Sequence, residues 1–255
     1  VTLAGGTVIH LPLLAPGFNI DWQQVKDALS GRTRLIIINS PHNPSGSILD
    51  QADLDQLAAI TRDSRILVLS DEVYEHLVFD GARHASVLAH DELFSRSFAV
   101  YSFGKTYHAT GWKTGYCIAP AALSAELRKV HQFVTFVAVT PIQHALADYI
   151  RSNPEHALEL ASFYQRKRDY FYAGLSASRF KLTPSAGTYF QLADYSAISD
   201  ADDETFCRQL TIDHGVAAIP LSPFYDRAPQ QKLVRFCFAK REATLDQALE
   251  RLCRI

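Results

Sequence analysis

Three short apolar runs, RLIIIN at 34–39, RILVLS at 65–70 and SFAVYS at 97–102, each stop abruptly at polar or turn-forming residues. Runs of that length rich in β-branched residues read as strands, and the first is of the kind buried on both faces of a sheet. Between the first two, SPHNPSG breaks the chain, and Asp50 marks a helix whose Leu54, Leu57, Ala58 and Thr61 fall on one face. Strand, helix, strand is the rhythm of an α/β fold with a mostly parallel sheet and helices on both faces. Ligands of such sheets bind beyond the carboxyl ends of the strands. The residues found there are Asn43, Asp71 and Lys105.

TGYCIAP reads as a further strand, and residues 122–137 and 142–152 carry helical spacing. Pro154 suits the first turn of a long helix reaching about Ser176. From Phe180 the texture changes to short strand-like runs, a helix near 202–214, the run LVRFCFA and a last helix from Glu242. The expected division is a larger domain over 1–152, and a connecting helix with a smaller C-terminal α/β domain over 153–255. No polar linker separates them, so the two should pack tightly.

With 25 Lys and Arg against 27 Asp and Glu, the net charge of −2 offers no bulk attraction to nucleic acid or an anionic membrane. The longest apolar stretches fall well short of the ~18 residues that span a bilayer. Cys117, Cys207, Cys237 and Cys253 form no CxxC pair and read as reduced core thiols, which points to the cytoplasm. The histidines show no HExxH or Cys/His ligand spacing, so no metal is expected. The first residue is Val and the chain holds no Met, which suggests that it begins partway through a longer gene product.

Taken singly, Asp71 is a turn residue and Lys105 a loop charge; their joint placement at neighbouring strand ends is what suggests a site. NSPHNPSG, LSDEVYEHLVFDG, SFGKTYHATGWKTGY and the late VRFCFA together resemble, in order and spacing, the fold type I, class I/II aminotransferases. The wording is most similar to the methionine aminotransferase and kynurenine (glutamine) aminotransferase branch. That resemblance implies pyridoxal 5′-phosphate as cofactor, amino acid and 2-oxo acid substrates, and a homodimer.

The resemblance makes Lys105 the Schiff-base lysine, catalytic as well as cofactor-binding. An amine that must bond an aldehyde has to be partly neutral, and a desolvated, cation-flanked position lowers its pKa. Asp71 is then expected to face the ring nitrogen, with Tyr74 and Asn43 at the ring's phenolic oxygen. Ser102 and Lys113 match phosphate anchors; many family members have arginine at the latter position, and an ammonium lacks arginine's planar fork. Arg235 matches the residue that grips the substrate α-carboxylate, with Asn43 beside it. Gly46 is expected to serve the turn presenting Asn43, whose bond to Pro44 the family's geometry implies is cis. Tyr107 and Trp112 could line the pocket, but aromatics beside a strand end are more often core.

The resemblance begins partway into the family pattern. A phosphate-binding turn, an aromatic residue stacked on the ring and a tyrosine supplied across the dimer belong to segments that precede VTLAGG. Activity is therefore expected of the full protein rather than of these 255 residues alone. Two other readings stay open: a β-lyase acting on cysteine conjugates, and a ligand-sensing aminotransferase-like domain of a regulator.

Overall fold

The computed structural model describes residues 1–255. Asp21 accepts from the amides of Gln23 and Gln24 and starts α1 (Trp22–Ala28), which leads to β1 (Leu35–Asn39). Asp50 and Asp53 form a reciprocal capping box at the start of α2 (Gln51–Thr61). The buried residues of α2 are Leu54, Leu57, Ala58 and Thr61, the four that spacing selects. β2 (Leu67–Asp71), the short α3 (Asp91–Phe94), β3 (Ser97–Ser102), the single turn α4 (Phe103–Thr106) and β4 (Gly115–Ile118) complete this part.

These strands form one sheet in the order β1-β2-β3-β4. The first three are parallel and β4 is antiparallel. Asn39 lies opposite Asp71 in the register, and Asp71 opposite Val100, so the polar strand ends are aligned. On one face Ile38, Val68, Ala99 and Tyr101 pack with Leu54, Leu57 and Ala58 of α2 and Leu93 of α3. On the other face, Leu35 is 39% and Ile37 54% exposed. The expectation of a first strand buried on both faces is thus not met within these residues. β1 is an edge strand, and α2 and α3 cover only the face of Ile38. α5 (Ala121–Val134) likewise buries no residue.

α6 (Thr140–Ser152) leads to the twenty-residue α7 (His156–Leu175), with Pro154 in the turn before it rather than in its first turn. The second sheet has the order β5-β6-β8-β7 and is antiparallel throughout. Its strands are β5 (Lys181–Leu182), β6 (Phe190–Asp194), β7 (Ile219–Pro220) and β8 (Leu233–Cys237). α8 (Asp203–His214), capped by Asp202 and closed by Gly215 at φ 64°, and α9 (Glu242–Leu252) complete the chain. Phe171, Phe180, Phe206, Phe236 and Phe238 form the centre of this core, and Tyr74, Leu77 and Phe79 enter it from the first sheet's side.

All four cysteines are free, but only Cys207 is buried and Cys253 is exposed. The expectation of core thiols therefore fails at Cys253, which lies just past the last turn of α9. Trp112 also departs from its core reading, since the short 3-10 turn Thr110–Trp112 leaves it 45% exposed. No helix is long and apolar enough to cross a membrane.

Candidate active site

Asn39 ends β1 and ties two strand ends together. Its Nδ2 donates to Asp71 O at 2.8 Å, and its Oδ1 accepts from the Asn43 amide at 2.9 Å. The turn bearing Asn43 closes at Gly46, whose φ of +74° favours glycine, and a Cβ there would stand 2.7 Å from the Ser185 Cβ. The Asn43–Pro44 bond is cis.

Asp71 is half-buried at the end of β2 and its carboxylate accepts one hydrogen bond, from the Val73 amide at 3.2 Å. Burial raises its pKa, opposed by that bond and by Lys105. The next residue, Glu72, is fully buried and anchors the strand end. It accepts from Ser70 Oγ at 2.9 Å, the Val87 amide at 3.0 Å, the Tyr101 hydroxyl at 2.8 Å and His84 Nε2 at 2.9 Å. Burial alone would raise its pKa, but the bonds from His84 and its neighbours outweigh that and hold it below the usual value. The Tyr101 bond stitches β3 to β2, which fixes the strand carrying Lys105 against the one carrying Asp71.

Lys105 sits within α4, immediately beyond β3. Its pKa is lowered, first by burial and then by the charge of Lys113, with Asp71 pulling the other way. Its Nζ stands 5.9 Å from the ring centroid of Tyr74. Tyr74 is buried edge-on against Tyr189 and Phe190, with ring centroids 5.2 and 6.0 Å away, and burial drives its hydroxyl pKa well up.

Arg235 comes from the middle of β8 in the second sheet. Its Nη1 donates to Asn43 Oδ1, and the guanidinium lies 4.0 Å from the Phe190 centroid and 5.4 Å from that of Phe224. Its Nε is buried without a partner, and burial lowers its pKa. An unpaired buried donor is costly, which is the pattern of a group held ready for an external acceptor. Ser102 is the N-cap of α4 without a side-chain capping bond. Lys113 is exposed at φ 52° and forms no ion pair.

The structure thus brings Asp71, Tyr74 and Lys105 together, with Lys113 close enough for its charge to act on Lys105. It joins Arg235 to Asn43 across 192 residues. Chemically the set offers an amine of lowered basicity, a carboxylate, an uncommitted hydroxyl and ammonium for an anion, and a guanidinium with a free N–H for a carboxylate. These donors fit pyridoxal 5′-phosphate together with an amino acid. A cavity of about 430 Å³ lined by His108, Tyr164, Lys167 and Lys240 contains none of these groups, and a second of about 370 Å³ is lined by Arg235 but by none of the others. Sequence reasoning missed Asn39, although it ends its strand just as Asp71 does. It also missed Glu72, whose role depends on partners fifteen and twenty-nine residues away.

The family model for aminotransferase class I and II matches residues 1–252. The methionine aminotransferase of Escherichia coli (strain K12) is 54% identical over 252 residues, covering 99% of this chain and 65% of that protein. Kynurenine–oxoglutarate transaminase 1 of Mus musculus is 31% identical, covering 98% of this chain and 67% of that one. Among solved structures, YbdL from Escherichia coli, for which a methionine aminotransferase function is identified, superposes with a TM-score of 0.96 at 54% identity. That match covers 99% of this chain and 67% of YbdL.

Proposed function

Because this chain belongs to the class I and II aminotransferase family, we propose that the protein is a pyridoxal 5′-phosphate-dependent transaminase. It moves the α-amino group of methionine, aromatic or other neutral amino acids to a 2-oxo acid. The observation that carries this reading is the partly buried Lys105 amine 5.9 Å from the Tyr74 ring centroid, its pKa lowered by burial and by the charge of Lys113. The substrate class rests on the likeness to a methionine aminotransferase and a kynurenine transaminase.

When bound, pyridoxal phosphate supplies a sink for the electron pair left when a substrate Cα–H bond breaks. Lys105 would hold the cofactor through its amine, and the same amine would move the proton at the substrate Cα. Asp71 keeps a proton on the ring nitrogen, Tyr74 and Asn43 orient the ring oxygen, and Ser102 and Lys113 take the phosphate. Arg235 takes the substrate α-carboxylate through its free N–H groups, steadied by Asn43. Residues 1–152 and 153–255 are read as the two domains between which this site is shared.

A homodimer accounts for the uncovered apolar face of α5, where Val130, Phe133 and Val134 are 61, 84 and 77% exposed. The four free cysteines suit a cytoplasmic setting. The test is to add pyridoxal phosphate to the purified full-length protein, then methionine, phenylalanine and kynurenine with a 2-oxo acid. Formation of the matching 2-oxo acid supports the reading. Release of pyruvate, ammonia and a thiol from cysteine conjugates without amino transfer replaces it with a β-lyase, and binding without any turnover replaces it with a sensor.

A further inference from the structure

α4 is a single turn, too short to hold itself, since an isolated turn gains few hydrogen bonds for the dihedrals it fixes. Two of its carbonyls are taken locally: Phe103 O accepts from the Tyr107 amide at 2.8 Å and Gly104 O from the Ala109 amide at 3.1 Å. Beyond it His108 adopts φ +54°, a left-handed conformation that costs roughly 1–2 kcal/mol for a residue with a Cβ. The carbonyl of Thr106, directly after Lys105, is satisfied from elsewhere. His156 Nε2, at the first position of α7, reaches it at 2.8 Å. His156 is the only side chain from another element that hydrogen-bonds the α4 backbone.

The proton positions on His156 follow from its partners. A carbonyl oxygen only accepts, so Nε2 carries the hydrogen. Nδ1 of the neutral ring then accepts, and the Tyr149 hydroxyl donates to it at 3.1 Å. The ring is further confined by Tyr107, stacked at a centroid distance of 5.2 Å, and by the edges of Tyr149 and His108 at 5.5 and 5.3 Å. A second tie lies about two helical turns on, where the Tyr164 hydroxyl meets His108 Nδ1 at 3.0 Å. The helix that joins the two sheets is therefore fastened, at its first turns, to the turn carrying Lys105.

We propose that His156 is a positioning residue for Lys105, acting through its Nε2–H on the Thr106 carbonyl, with Tyr149 fixing the ring in the tautomer that can donate. This rests on the reading of Lys105 as the cofactor-bearing amine. Without the bond, the C-terminal carbonyl of α4 loses its partner and the turn is free to reorient, which moves Lys105.

The experiment compares His156→Gln with His156→Asn in the full-length apoprotein. A glutamine amide nitrogen falls near the place of Nε2 and an asparagine amide nitrogen near that of Nδ1, while both remove the ring that stacks on Tyr107. The readouts are the rate at which added pyridoxal phosphate is trapped on Lys105 by reduction, scored by peptide mass, and the midpoint pH of the cofactor's absorption band. His156→Gln is expected within about threefold of the parent protein, and His156→Asn about tenfold slower with a displaced midpoint, the size of one lost hydrogen bond. Equal behaviour of the two variants, whether both like the parent or both impaired, overturns the proposal. Failure of the parent protein to be trapped at Lys105 instead overturns the assignment of Lys105.

Discussion

Burial acts on Lys105 and Glu75 in the same sense, favouring the neutral form, but with different consequences. For Lys105 a lowered pKa frees the amine to react, and its removal should cost chemistry and not folding. Lys105→Ala is expected to reduce transamination by about 10³-fold or more, the range for loss of an acid–base group, while the melting temperature stays within a few degrees. Stopped-flow turnover and circular dichroism on the same sample check both halves. Glu75 follows Tyr74 in sequence; burial pushes its carboxyl up to about 7, and its Oε2 is buried without a partner. A raised acid pKa means that between the ordinary value of 4.5 and about 7 the folded chain holds a proton that the unfolded chain has lost. Stability then falls as pH rises through that window and is level above it. Glu75→Gln is accordingly expected to be near neutral at pH 4 and to stabilise by up to about 3 kcal/mol at pH 8, read from denaturant midpoints at the two pH values. A gain of equal size at both pH values contradicts the shift.

Helix α2 shows how far local pattern reaches. Asp50 caps it, Asp53 closes the box, and the spacing of Leu54, Leu57, Ala58 and Thr61 names its buried face correctly. Asp50→Ala should cost about 1 kcal/mol, measured as a lower thermal midpoint with an unchanged helical spectrum. The strand ends were equally legible, because a polar residue closing an apolar run can only lie where the sheet opens to solvent or ligand. What pattern could not supply was the partner of each surface. RLIIIN is apolar at every internal position, yet Ile37 is exposed and Ile38 buried, since α2 covers one face of β1 and nothing in these residues covers the other. α5 has an apolar stripe and no residue to lay it against. Arg235 was placed in the site by family likeness alone: its bond to Asn43 spans 192 residues, and no periodicity in LVRFCFA points to that turn. The role of His156 was invisible for the same reason, being fifty residues from the carbonyl it meets.

The two sheets do not behave as two independent bodies, because the boundary between their cores is crossed by side chains and by an ion pair. Tyr74, Leu77 and Phe79 follow β2 in sequence but belong to the core built by α7, α8, α9 and the second sheet. Arg168 of α7, nearly buried, pairs with Asp80 at 2.5 and 2.7 Å and donates to Ser185 O at 3.0 Å, so the same loop is held by charge as well as by packing. The Thr188 amide also donates to Leu77 O at 2.9 Å, continuing the second half's backbone onto the first. The candidate site needs this coupling, since Lys105 and Asp71 come from one sheet and Arg235 from the other. If the halves could loosen separately, the Arg235–Asn43 contact would open before either core melted. Shared burial instead predicts one cooperative transition, with calorimetric and van't Hoff enthalpies that agree. Leu77→Ala, at a position 1% exposed, should lower stability by about 2–5 kcal/mol and move the whole transition together. A second calorimetric peak in that variant, with half of the enthalpy left at the parent temperature, would show that the halves fold apart and that the site is joined only by surface contact.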